Sequence, residues 1–240
     1  MKIKLINHTK DPDRICAAAA LSCYSKNSSS TLFDDMSEEN IEKSLLKIVD
    51  MGHLSVIEHA NFTFSVQGVS RALTHQLVRH RIASYSQQSQ RYVSMDKAEY
   101  VIPLSIASDS EARKEYEKLM DRIWHSYALL SEKVPKEDAR YVLPNACHTN
   151  ITVTMNAREL WHFFTLRCCR RAQWEIRKLA WLMLQETRAI SPILFENSGP
   201  ACIRGPCPEG EYSCGKPLKK DRIPDDLDEE IPSQRPRIDA

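Results

Sequence analysis

No apolar run in the 240 residues approaches the length needed to cross a bilayer, and Met1-Lys2-Ile3-Lys4 leads into no signal-like apolar core. The expectation is a cytoplasmic protein with no membrane partner. An excess of charge is lacking too: 33 Lys and Arg face 32 Asp and Glu, for a formal net charge of +1. That balance argues against a protein that coats a nucleic-acid polymer over its whole surface. The eight cysteines lack the compact spacing of a disulfide framework, and reduced, buried thiols are expected instead. What remains is ordinary for a soluble chain: 42% apolar residues, enough for a core, and 27% charged. The length allows one large domain or two small ones.

One stretch is short of two things at once. Arg79-His80-Arg81-Ile82-Ala83-Ser84-Tyr85-Ser86-Gln87-Gln88-Ser89-Gln90-Arg91-Tyr92 has few aliphatics and no acidic residue. Its side chains are almost all hydrogen-bond donors or acceptors. So much unneutralised donor capacity points to an anionic ligand, such as a phosphorylated one, that completes it. A solvated basic loop is the alternative.

Around this stretch the patterning predicts a mixed chain. Lys2–Asn7 and Asn61–Gln67 alternate as strands, with Gly68 ending the second, and Asn150–Met155 alternates as another. Helices are expected over Asp13–Tyr24, over Glu38–Met51 with Ser37 as its cap, and over Ser70–His80 with Ala72, Leu73 and Leu77 inward. Further helices are expected over Asp109–Glu132, Arg158–Cys168 and Ala172–Ile190, with a shorter one opened by Pro135. Ser25–Ser30 reads as a polar loop. On the helix over Ser70–His80, the spacing of Gln76, Arg79 and His80 puts them on one face.

Beyond these elements, His53, Glu58 and His59 raise the question of a metal site, but no regular element brings them together, and no metal is expected. From Asn197 the chain turns to Gly, Pro, Cys and charges, which predicts a tail over residues 196–240, partly extended or disordered, behind a catalytic domain of residues 1–195. Within it, Cys202, Cys207 and Cys214 read as reduced surface thiols, with a metal role left open, and Lys219-Lys220-Asp221-Arg222 as a solvated cluster.

Arg79-His80-Arg81, followed by seven residues and Ser89, resembles the signature of the flavin-dependent thymidylate synthases. Gly52-His53 with Glu58-His59, Ala139-Arg140 ahead of Val142-Leu143-Pro144, Asn156-Ala157-Arg158, and Leu166-Arg167 ahead of Ala172-Gln173-Trp174-Glu175 also resemble that family, in order. The resemblance runs from about Met1 to Pro192. It implies an α+β fold with a central, mostly antiparallel sheet flanked by helices, assembled as a homotetramer with shared active sites. It also implies reductive methylation of dUMP to dTMP, with FAD as cofactor and 5,10-methylenetetrahydrofolate and NADPH as co-substrates.

Carried over residue by residue, the resemblance makes Arg167 the catalytic group. Its planar fork can meet a uracil carbonyl and favour loss of the N3 proton, with no enzyme nucleophile. Gln76, Arg79, Gln87, Gln88, Ser89, Gln90, Arg91 and Arg140, with Arg167, match the dUMP clamp. Ser89 has no His–Asp relay set by sequence to activate it, so its role is positioning. Ser55, Arg79, His80, Arg81, Gln87, Asn156, Arg158 and His162 match the FAD positions, and His53 is a possible flavin or folate contact. Arg158 and Arg167, nine residues apart, would face opposite sides of a regular helix.

Three positions depart from the pattern. Ser86 and Gln87 stand where members often carry Asn and Glu, and Arg171 where a His is common, so Arg171 is left out of the site. Two other classes remain to be weighed against the flavoenzyme. One is a non-catalytic nucleotide or RNA binder using the Arg79–Arg91 loop, and the other a metal-dependent hydrolase built on His53, Glu58 and His59.

Overall fold

Alternation along the chain becomes one face in the core and one out. In the computed structural model, which describes residues 1–218 together with Pro224 and Leu227, four strands form a single antiparallel sheet. They are β1 (Lys2–His8), β2 (Asn61–Ser70), β3 (Ala83–Gln87) and β4 (His148–Asn156), in the spatial order β1-β2-β4-β3. Phe62, Phe64 and Val66 of β2 and Ile151, Val153 and Met155 of β4 are buried, with Phe64 opposite Val153. Each such side chain contributes roughly 1.5–3 kcal/mol by leaving water. The structure therefore supports the expected mixed fold with an antiparallel sheet.

The helices are α1 (Pro12–Ser22), α2 (Ser29–Asp35), α3 (Glu38–Asp50), α4 (Arg71–Leu77), α5 (Leu104–Ala107), α6 (Ser110–Ser131), α7 (Lys136–Ala139), α8 (Ala157–Arg167) and α9 (Trp174–Ile190). Side-chain caps fix several starts. Ser37 accepts from Asn40 N at 3.3 Å, Asp109 from Ala112 N at 3.0 Å, and Asn156 from Glu159 N at 2.9 Å. Such a cap is worth about 1 kcal/mol. Leu160, Phe163 and Phe164 of α8 and Ile176, Leu179 and Met183 of α9 join the strands in one core. A smaller cluster forms where Met120 and Trp124 of α6 meet Cys147. There the Trp124 indole donates to Met95 O at 3.0 Å, which holds the loop after β3.

Four local expectations change. Ser28, expected in a loop, caps α2 by accepting from Thr31 N, so the Ser-rich stretch starts a helix. Gly68 does not end β2: it sits at φ +66° in the register shift between Val66 and Val69, a bulge that a left-handed residue permits. α4 stops at Leu77, and Ala72 is exposed while Thr74 is buried. The shared helical face expected for Gln76, Arg79 and His80 therefore does not form: Arg79 and His80 lie in a turn beyond the helix, the first exposed and the second buried. Finally, Ala83–Gln87, unassigned in the sequence, is the edge strand β3.

Residues 194–204 return along α8. The Trp161 indole donates to Leu194 O at 2.9 Å, and Arg188 to Phe195 O and Ser198 O at 3.1 and 2.8 Å. The cluster Lys219-Lys220-Asp221-Arg222 and, apart from Leu227, the acidic run 225–230 lie outside the described residues. Among the described residues, no helix is long and apolar enough to cross a membrane.

Candidate active site

The turn after α4, the start of α8 and the returning segment enclose a cavity of about 1170 Å³. Arg79, His80, Arg81, Asn156, Arg158 and His162 all line it, together with Glu58 and Arg204. Six of the residues matched to FAD thus meet in one place, although the chain separates Arg81 from Asn156 by 75 positions. The volume is ample for a large ligand, since drug-sized ligands occupy roughly 300–1,000 Å³.

Charge in the cavity is uneven. Arg158 pairs with Glu58 at 2.5 Å, so Glu58 turns to an arginine rather than to the histidines beside it in sequence. Arg204 is held by the carbonyls of Asn197 and Gly199 and by the Thr165 hydroxyl, with its guanidinium 5.1 Å from the Trp161 ring centre. Arg79 and Arg81 form no ion pair among the described residues. Cations held at a cavity wall without acidic partners suit phosphate oxygens. This donor set fits a dinucleotide with a pyrophosphate, such as FAD.

His80 forms the rear of this wall and is 4% exposed. Its Nδ1 lies 3.2 Å from Glu159 Oε1, and the Arg167 Nε–H donates to its Nε2 at 3.2 Å. The Phe163 ring stands edge-on to it, with centres 5.0 Å apart, and His162 is 5.7 Å away. Burial, then Arg167 and His162, push its pKa from 6.5 down to about 4, so the imidazole is neutral near pH 7. Burial raises Glu159 and lowers Arg167 from their ordinary values. α8 is unbroken, as the half-turn separation of Arg158 from Arg167 requires, but the Arg167 side chain returns to the ring that lines the cavity. Arg167 itself does not line it.

Most of the residues matched to dUMP lie elsewhere. β3 runs alongside α4, with the Tyr85 hydroxyl 2.8 Å from Leu77 O and the Gln87 amide donating to Thr74 and Thr149. Gln88, Ser89, Gln90 and Arg91 follow at its far end, about 17 Å from the Arg81 end for a five-residue strand. There Arg91 Nε pairs with Glu137 at 2.9 Å, and Arg140 Nε donates to the carbonyl of the same Glu137 at 3.1 Å. Gln88 also lines a second cavity of about 590 Å³, with Lys97, Glu99 and His148. The matched residues therefore form two groups, Arg79 and Arg167 with Gln76 at one end, and the Gln87–Arg91 segment with Arg140 at the other.

Some residues fall outside both groups. Ser55 and His53 are exposed in and before the 3-10 turn Leu54–His59 and do not line the cavity, whereas Leu54 does. Arg171 points to the Tyr212 carbonyl. Cys169, Cys202, Cys207 and Cys214 are half-buried free thiols, and among the described residues no three His, Cys, Asp or Glu side chains form a ligand set for a metal ion. Three site residues escaped the sequence reading. Arg204 sits in the segment read as tail. Arg71, whose Nε is buried without a partner in the structure, donates from Nη2 to Gln88 O at 3.0 Å. Glu159 could have been found, because Asn156-x-x-Glu159 is a capping pattern ahead of an apolar run.

Residues 4–193 match the family described as thymidylate synthase complementing protein. Among curated relatives, the flavin-dependent thymidylate synthase of Geobacter sulfurreducens is 51% identical over 226 residues, covering 93% of this chain and 97% of the relative. The one from Clostridium tetani is 48% identical, covering 93% and 96%, and that from Pyrococcus furiosus 47%, covering 92% and 95%. The fold also resembles a crystal structure of the UMP/dUMP methylase PolB from Streptomyces cacaoi bound with 5-Br dUMP. The TM-score is 0.70 at 22% identity, over 81% of this chain and 93% of that one.

Proposed function

Since this chain belongs to the flavin-dependent thymidylate synthase family, we propose that it methylates dUMP to dTMP, with FAD in the 1170 Å³ cavity. In this reading 5,10-methylenetetrahydrofolate supplies the carbon, NADPH the electrons, and the reaction runs in the cytoplasm. The observation that carries the flavin assignment is the cavity wall, where Arg79 and Arg81 stand without acidic partners beside Arg158 and Arg204. Bound there, FAD would supply the redox chemistry between NADPH and the one-carbon unit.

The residues divide the remaining work. Arg79 and Arg81 hold phosphate oxygens, and Asn156, Arg158 and His162 position the rest of the dinucleotide. Arg91 and Arg140, with Ser89 and the Gln87, Gln88 and Gln90 amides, hold the nucleotide phosphate and sugar. Arg167 polarises the uracil carbonyl, stabilising the ring anion formed when N3 loses its proton. That charge raises the reactivity of the ring without a covalent enzyme adduct. The two groups lie at opposite ends of β3, roughly 17 Å of strand apart, which favours supplying them to one nucleotide from different subunits. Each site is therefore built from Arg167 of one subunit and the Arg91 loop of another, in a homotetramer.

The test is a visible spectrum of the purified protein, taken before and after anaerobic NADPH, with and without dUMP. A flavin band that bleaches at a rate responsive to dUMP is expected. A colourless protein that takes up no FAD overturns the reading and favours the nucleotide-binding alternative.

A further inference from the structure

The buried chain from Glu159 through His80 to Arg167 has a fixed direction. Arg167 has only N–H groups to offer, so at 3.2 Å its Nε must donate, and His80 Nε2 must accept. A neutral imidazole carries one proton, which then lies on Nδ1, 3.2 Å from Glu159 Oε1. We propose that Glu159 is a positioning residue for the reaction: its carboxylate holds His80 in the Nδ1–H tautomer, and Nε2 thereby stays an acceptor that seats the Arg167 guanidinium.

Three features support this. Glu159 and His80 are 6% and 4% exposed, so water is a poor substitute for either partner. The Glu159 backbone is fixed in the first turn of α8 by the Asn156 cap, and the Tyr85 hydroxyl lies 2.8 Å from His80 O, which holds the turn carrying the ring. The surroundings of the ring also keep it neutral: burial first, then Arg167 and His162 from α8, disfavour a second proton, and the uncharged Tyr85 of β3 adds none. Among the described residues, the Glu159 carboxylate is the one acidic group in contact with it. A protonated ring would donate from both nitrogens and repel Arg167. Because His80 also lines the dinucleotide cavity, the same ring connects that cavity to Arg167.

The inference rests on the proposed role of Arg167 in activating uracil. The first measurement avoids that dependence: nitrogen-15 NMR of the full, FAD-loaded chain labelled at histidine, with His80 assigned by comparison with His80→Gln. A pyrrole-type Nδ1 and a pyridine-type Nε2 are expected. A proton on Nε2 in the wild type overturns the proposal whether or not Arg167 is catalytic. The second measurement is turnover at saturating FAD. Glu159→Leu is expected to lose about 30–100-fold in kcat with little change in the KM for dUMP, and to lose the Nδ1–H signature. Glu159→Gln retains an acceptor oxygen and is expected to stay within about threefold of wild type. Glu159→Leu with wild-type kcat and bound flavin overturns the proposal. Arg167→Ala with normal turnover would instead overturn the uracil-activation reading, leaving the tautomer measurement to judge Glu159 separately.

Discussion

Two sets of arginines occupy the two ends of β3, and they are held in different ways. At the Arg81 end, Arg79 and Arg81 face a cavity without acidic partners, and Arg204 rests on carbonyls, a hydroxyl and an indole. At the Gln87 end, Arg91 and Arg140 both converge on Glu137, through its carboxylate and its carbonyl. The first set is charged and waiting within a single chain. The second is half-satisfied by its own chain, with Arg91 about half exposed, and does not line the 1170 Å³ cavity. A receptor complete in one subunit and a clamp that needs a second subunit would look like this. On the proposed assignment, one continuous motif can serve two ligands because an edge strand holds its ends apart.

The largest expected break comes from removing the group proposed to polarise the uracil. Arg167→Ala should retain flavin absorbance and lose about 10³-fold in kcat, as for deletion of one preorganised donor to a developing anion. Anaerobic flavin titration and a dTMP assay on the same sample check both halves. If flavin is lost instead, Arg167 belongs to the cavity and the contrast fails. Next in size, Arg79→Ala or Arg81→Ala should weaken FAD binding by about 30-fold, since a charge-assisted hydrogen bond contributes about 1.5–3 kcal/mol. Arg91→Ala should leave FAD affinity unchanged and raise the KM for dUMP by a similar factor. Equal effects of all three substitutions on both ligands would show that the two ends act as one site.

How much of this could be read from the chain follows the same division. The cap at Ser37, the apolar stripe of α6 and the alternation of β2 and β4 are local signals, and their elements formed nearly as expected, whereas the caps at Asp109 and Asn156 were not read. β3 was not legible because its residues are an alanine, two serines, a tyrosine and a glutamine, with no alternating apolar set, and its strand state depends on pairing with β4. The cavity set was named from the resemblance, but the pattern of partners was not. Nothing local reveals that Glu58 turns to Arg158 or that Glu137 lies under Arg91. Arg204 was hidden by composition, since a Gly-, Pro- and Cys-rich segment looks unable to pack while Trp161 and Thr165 in fact receive it.

A smaller effect concerns stability. The folded pKa of His80 is depressed from 6.5 to about 4, so the unfolded chain binds its proton first as pH falls. The contribution of the neutral ring is fully present above about pH 6.5 and is lost progressively towards pH 4. On the order of 3 kcal/mol is at stake across that window. His80→Gln should flatten the fall in denaturation midpoint between pH 7 and 4 relative to wild type, as measured by urea unfolding in FAD-free buffer. Parallel curves would mean that the ring is solvated in solution, and the enclosed end of the comparison would lose its defining feature.

The smallest effect is the most specific to the open end. Glu137 competes with any phosphate for Arg91, and its carboxylate is about half exposed, so the pair itself contributes at most about 1 kcal/mol. Glu137→Gln removes the competing charge while keeping the carbonyl that accepts from Arg140. The KM for dUMP should then fall by about two- to fivefold, with FAD affinity unchanged and with the difference shrinking at high salt as both charges are screened. Uridine-based analogues without the phosphate should show no such gain. If Glu137→Gln instead raises the KM, the carboxylate is orienting Arg91 for the nucleotide rather than occupying it. The two ends of β3 would then differ in exposure but not in readiness for their ligands.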